Sequence, residues 1–316
     1  MFDALTPNVQ IALAGIVALL VAASAGVFVF NRLRPDNSCA DLTPRLRSWW
    51  LMVATFSATL ALGRSASLVL LALISFLALK EYLSLIPTRR IDRPLMLWAY
   101  AAIPLQYYWV ASGRYDMFVA FVPLYGLLVL SARAAFAGQP HGFLRIAGSL
   151  NWGLLITVFA LAHLGFLVVL PAAGNPAGGS AGLLMYLVFL AQFSDVVQYI
   201  AGKSLGRRRI APRISPNKTW EGLIVGLVTT VVLAAALAPW ITPLDRGEGL
   251  IAGLLIGLAG FAGDITVSAV KRDLGVKDTS SLLPGHGGLL DRVDSLILAA
   301  PIFYHFLQQI HYGGVS

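Results

Sequence analysis

Three aspartates near the end of the chain, Asp264, Asp291 and Asp294, stand among Lys271, Arg272, Lys277 and Arg292. Hard oxygen donors mixed with fixed cations suit the handling of phosphate. Magnesium is held with phosphate substrates by few carboxylates, water and phosphate oxygens filling the remaining positions. Asp291 and Asp294 are spaced i, i+3, which puts both on one side of a helix start. Ahead of them Pro284, Gly285, His286, Gly287 and Gly288 make a turn whose backbone N–H groups can approach an anion closely. Within that turn His286 reads as a stabilising hydrogen-bond partner. The same residues admit a plainer account, a loop in which Lys271, Arg272, Lys277 and Arg292 are salt-bridged to Asp273, Asp278, Asp291 and Asp294. Composition leaves both open.

A second charged stretch, GKSLGRRRIAPRISPNKTWEG over 202–222, carries Lys203, Arg207, Arg208, Arg209, Arg213 and Lys218. These cations exceed what membrane orientation needs, and such clusters recognise polyanions through charge-assisted hydrogen bonds. Gly202, Lys203 and Ser204 do not make a phosphate-binding loop, because that motif needs a glycine five residues earlier and position 197 is Val197. Thr219 is placed to cap a helix that opens at Trp220 and Glu221. Upstream, Asp195 interrupts an apolar run. An aspartate at membrane depth costs roughly 2.5–3.5 kcal/mol on insertion scales, so neither Asp195 nor Asp264 should face lipid. Helical spacing puts Asp195 on a face with Gln198 and Tyr199, and Asp264 on a face with Ser268 and Lys271. Cys39, the single cysteine, excludes an intrachain disulfide or a cysteine cage, and five scattered histidines offer no HExxH spacing for zinc.

The elements that must position these residues are membrane helices. Of 316 residues 58% are apolar and 12% charged, too little polar surface for a soluble enzyme. Apolar runs near the about 20 residues that cross a hydrocarbon core recur along the chain, and they lack the alternation of barrel strands. They predict an all-α, polytopic protein with ten spans at 9–30, 49–62, 66–86, 94–111, 116–132, 146–170, 181–201, 222–240, 249–270 and 293–311. The stretch 49–86 is divided at Gly63 and Arg64 because only then do the basic loops fall on one side. That side collects nineteen lysines and arginines against three, so by the positive-inside rule it is cytoplasmic, with both termini outside. The first run lacks a basic start and is 22 residues long, so it reads as a span rather than a cleaved signal. The expectation is one membrane domain, 1–316, with an N-terminal part (1–180) that is nearly featureless and a polar, catalytic part (181–316). Glycines at 222 and 226, and at 253 and 257, have the spacing of close helix contacts, within the chain or in a homodimer.

The stretch from Ser268 to Asp294, SAVKRDLGVKDTSSLLPGHGGLLDRVD, resembles the signature of the phosphatidate cytidylyltransferase (CDP-diacylglycerol synthase) family at every fixed position. The upstream S-P-x-K-T-x-E-G element is also present from Ser215 to Gly222, and Asp195 matches the acidic position before the glycine-basic loop. The likeness covers roughly residues 190 to 300. One position departs: where the family commonly has G-D-x-x-E-S, this chain has Val267 in place of the glutamate. The resemblance implies transfer of CMP from CTP to phosphatidate, giving CDP-diacylglycerol and pyrophosphate, in a bacterial inner membrane with the site facing the cytoplasm. It implies Mg2+, with room for a second cation, at Asp264, Asp291 and Asp294, and catalytic roles for Asp264, Asp291, Lys271 and Arg272. Substrate binding would fall to Asp195, Arg213, Ser215, Lys218, Thr219, Glu221, Lys277, Asp278, His286, Gly287, Gly288 and Arg292. Its partners would be CTP, phosphatidate and the bilayer, with no nucleic acid. A CTP-dependent lipid kinase and a lipid or ion transporter are the alternatives. The transporter would explain Asp195 and Asp264 but leave the two charged loops idle.

Overall fold

The computed structural model describes residues 5–33, 42–87, 93–136, 141–282 and 287–313. Ten helices follow the ten apolar runs. They are α1 (Pro7–Leu33), α2 (Leu42–Leu62), α3 (Arg64–Leu85), α4 (Arg93–Ala111) and α5 (Tyr115–Phe136). The second five are α6 (Phe143–Val169), α7 (Gly179–Leu205), α8 (Trp220–Ile241), α9 (Arg246–Asp273) and α10 (Leu290–Leu307). Seven of the ten are long and apolar enough to cross a membrane, and large apolar side chains such as Leu19, Val69, Leu97 and Val232 stand exposed on their outer faces. This is an integral membrane protein. A helix satisfies its own backbone polar groups in lipid, which is why this composition folds as helices.

The division of 49–86 into two helices has a local cause. Between α2 and α3 only Gly63 is non-helical, at φ 92°, a left-handed conformation that a side chain would strain. Helices α7 to α10 pack each against the next, and α10 returns to α6 and α3, so the second half is closed by a helix from the first. The glycine stripes serve this packing. A Cβ on Gly253 would lie 2.6 Å from Ala234 Cβ, and one on Gly226 would collide with Gln198. These contacts lie inside the chain, the first of the two settings that the spacing allows.

The all-helical expectation needs one addition. Between α7 and α8 the basic stretch folds into an antiparallel hairpin, β1 (Arg209–Ala211) with β2 (Ser215–Thr219), in which Arg209 faces Thr219 and Ala211 faces Ser215. Its turn closes through the Ile214 N–H on the Ala211 carbonyl, with Pro212 presetting the second position. Thr219 then caps α8 as the sequence predicts, its hydroxyl accepting from Gly222 N at 3.2 Å.

Candidate active site

The hairpin and the C-terminal part of α9 meet through one ion pair. Lys218 Nζ, from β2, lies 2.6 Å from Asp264 Oδ2, with the two side chains 18% and 19% exposed. The spacing of Asp264 and Ser268 on α9 is realised directly, Ser268 Oγ donating to Asp264 Oδ1 at 3.2 Å. Burial alone would make Lys218 easier to deprotonate. The charges of Asp264 and Asp195 outweigh it and hold the ammonium above the ordinary lysine value, so the group is a fixed cation at neutral pH. The same ammonium stands 5.5 Å from the Phe261 ring centroid. Arg272 braces the hairpin from below: its Nε donates to the Ile214 carbonyl at 3.0 Å, so this exposed arginine fixes the turn of the hairpin onto the end of α9. Glu221 accepts from Arg207 N and Arg208 N at 3.0 and 3.2 Å and anchors the other end to α8.

A second pair, Lys271 Nζ to Asp291 Oδ1 at 2.6 Å, is more deeply buried, at 12% and 4% exposure. The other oxygen, Asp291 Oδ2, accepts from Thr279 N at 2.9 Å, Thr279 Oγ1 at 3.0 Å and Gly288 N at 3.0 Å. Beside it lies a carboxylate from the half of the chain that read as featureless. Glu81, buried in α3, accepts from Leu289 N and Leu290 N, both at 2.8 Å, from Ser280 Oγ at 2.7 Å and from Thr279 Oγ1 at 3.0 Å. The amides of residues 288, 289 and 290 are thus all taken by protein carboxylates. Of the glycine turn only Gly287 and Gly288 lie among the described residues, and there the Gly288 N–H, like those of Leu289 and Leu290 at the start of α10, meets a carboxylate of the protein itself. Gly288 is needed for that approach, because a Cβ there would collide with Thr279 Oγ1 and the Glu81 carboxylate. Gly287, at φ 79°, turns the chain beside Asp278 and Asp291.

The expected metal set also divides. Among the described residues no three His, Cys, Asp or Glu side chains are placed to hold a metal by themselves. Asp291 is committed to Lys271 and its own loop, so the plainer salt-bridge reading holds for that pair. The i, i+3 spacing puts Asp291 and Asp294 on one side of α10, but Asp291 falls in the first turn, where free amides and a lysine claim it. Asp294 instead lies within electrostatic reach of Asp264 and Asp195. One oxygen of Asp195 is buried without a hydrogen-bond partner, as are Ser295 Oγ and Arg292 Nε beside it. Asp195, Asp264 and Asp294 are thus within electrostatic reach of one another, and an ion among them would need phosphate oxygens or water to complete its shell.

The remaining sequence-derived residues are placed as follows. Arg213 is exposed at the hairpin turn, Ser215 is half-buried in β2, and Lys277 and Asp278 are exposed beyond α9. His286 lies outside the described residues. Val267, the departure from the resembled pattern, is 1% exposed in the apolar core. Glu81 was missed although a signal existed: it is a carboxylate inside a span, the same feature that marked Asp195 and Asp264.

Ten helices, seven of them long and apolar enough to cross a membrane, carrying a cluster of carboxylates, lysines and an arginine-rich hairpin, define an integral membrane enzyme built for charged substrates. The chain belongs to the cytidylyltransferase family, whose model matches residues 43–310, and it is a nucleotidyltransferase. It is 43% identical over 301 residues to the uncharacterized protein YnbB of Escherichia coli, covering 95% of this chain and 98% of that one. It is 45% identical over 172 residues to a phosphatidate cytidylyltransferase of Pseudomonas aeruginosa, covering 52% of this chain and 59% of the relative. With the phosphatidate cytidylyltransferase of Bacillus subtilis it shares 29% identity over 276 residues, 84% of this chain and 98% of that protein.

Proposed function

We propose that the protein transfers CMP from CTP to phosphatidate at the cytoplasmic face of a bacterial inner membrane. A phosphate oxygen of phosphatidate bonds to the α-phosphorus of CTP, the bond to the β-phosphate oxygen breaks, and pyrophosphate leaves. The observation that carries this reading is the Lys218–Asp264 pair, which brings a charged lysine from the hairpin to the most acidic part of the helix bundle. The relatives that bear the name phosphatidate cytidylyltransferase supply the substrate class, and the excess of lysine and arginine on one side supplies the orientation.

The chemistry needs no strong general base, because the nucleophile is already an anion. Its difficulty is bringing two polyanions together, which fixed cations relieve. Lys218 and Lys271 do so from the hairpin and from α9, with Arg213 and Arg292 as further cations. Mg2+ would be held by Asp264 and Asp294, with the unpartnered oxygen of Asp195, and would supply charge neutralisation for the phosphates. Asp291 and Arg272, expected in catalysis, act here by holding Lys271 and the hairpin. Incubation of detergent-purified protein with phosphatidate and CTP labelled at the α-phosphate tests the reading. Labelled lipid and free pyrophosphate should appear together and only with a divalent ion. Label transferred from the γ-position would establish a lipid kinase instead, and no transfer from either would end the proposal.

Lys218→Ala removes a charge-assisted contact worth about 1.5–3 kcal/mol, so the apparent KM for CTP should rise about 10- to 100-fold, and that for phosphatidate much less. Steady-state titration of each substrate separates the two. An unchanged KM for CTP would take Lys218 off the nucleotide.

A further inference from the structure

Helix α10 begins with no capping side chain of its own, its cap position being Leu289. Two of the amides left open at that end are met by Glu81, which arrives from α3, more than two hundred residues earlier in the chain. Glu81 also takes hydroxyl protons from Ser280, and from Thr279 in competition with Asp291, since one hydroxyl proton serves one acceptor at a time. A single carboxylate, 6% exposed, thereby fastens both ends of the motif loop to the first half of the bundle. Among the described residues no cation pairs with it, so its charge is balanced by these donors and by the positive end of α10.

We propose that Glu81 is a positioning residue for nucleotidyl transfer: it sets the start of α10, and through Thr279 and Gly288 it fixes the Asp291 carboxylate on which Lys271 rests. Removing the anchor leaves Lys218 and Asp264 untouched, because they belong to the hairpin and α9, so nucleotide binding survives while the geometry of transfer is lost. This inference rests on the cytidylyltransferase reading above. It also explains how helices of the first half, which carry none of the motif residues, contribute to the site.

Glu81→Gln tests it. Glutamine keeps the shape but turns one acceptor oxygen into a donor facing N–H or O–H groups. In detergent-purified full-length protein, kcat should fall about 10- to 100-fold while the KM for CTP stays within about threefold, by the weight of one lost charge-assisted contact. Amide hydrogen exchange over 279–290 should accelerate, with α7 and α8 keeping their protection. Thr279→Val should add little to Glu81→Gln, because both act through one network, whereas Lys218→Ala should add its full effect on KM. Ser280→Ala, which removes one donor and leaves both helix amides bonded, gives a milder loss of the same kind should Glu81→Gln fail to insert. Wild-type kcat and unchanged loop exchange in Glu81→Gln would overturn the inference. So would loss of protection across all helices with kcat intact in the folded fraction, which is the mark of a purely structural carboxylate. An inactive wild-type protein would count against the cytidylyltransferase reading alone, since exchange at 279–290 still reports on the anchor.

Discussion

Asp264→Asn should lower turnover by about 10²- to 10³-fold, the usual cost of deleting one preorganised electrostatic group, without unfolding the protein. The substitution changes charge and almost nothing else. The side chain is partly exposed; Lys218 can still donate to the asparagine carbonyl, and the Ser268 hydroxyl on the other side can turn to accept from the new NH2. What is lost is a negative charge within electrostatic reach of Asp195 on α7 and Asp294 on α10. If those three carboxylates receive a divalent ion together with the triphosphate, the divalent concentration needed for half-maximal activity should rise along with the fall in kcat. Titration of the metal at saturating CTP and phosphatidate measures both, and thermal melting followed by circular dichroism checks the fold. Turnover within about fivefold of wild type, a barrier change of about 1 kcal/mol, would remove Asp264 from the chemistry.

The helices were legible because lipid imposes a single rule on each of them, and a run of apolar residues answers it without reference to any other part of the chain. Even the break at Gly63 could be read, because without it the basic loops would have fallen on opposite sides. Within one element the local chemistry was equally readable: Thr219 caps α8, and Ser268 reaches Asp264 one turn away. Two of the failures concern partners distant in sequence. Asp291 and Asp294 look equivalent as letters three apart, yet Lys271, twenty residues upstream, and the amide of Thr279 claim only the first. Glu81 was passed over beside Lys80 near the end of an apolar run, where a charged pair suits the membrane boundary. Its four donors come from 198 to 209 residues away, beyond the reach of any spacing argument. The hairpin was hidden by its brevity, three and five residues among cations that spoke more loudly of ligand than of strand.

Asp291→Ala should cost about 3–5 kcal/mol of stability and nearly all turnover, and the two losses have different causes. Truncation leaves Lys271 buried without its counter-charge, which is the large penalty of a broken buried pair. It also strips the acceptor from Thr279 N and Gly288 N, so the loop before α10 loses one of its two carboxylate anchors. The stability loss can be repaired without restoring the charge. Asp291→Leu combined with Lys271→Met replaces the ion pair with apolar side chains of similar size, an exchange that is often neutral or better for a buried pair. The double variant should therefore regain the part of the melting temperature lost to the unpaired lysine, though not the part lost with the two amide contacts, and remain inactive, because the lysine proposed to meet substrate phosphate is gone. Melting temperature and label transfer from α-labelled CTP, measured on the same preparations, separate the outcomes. Recovery of both in the double variant would mean that Lys271 and Asp291 hold the loop and nothing more, leaving Lys218 as the lysine on which phosphate recognition depends.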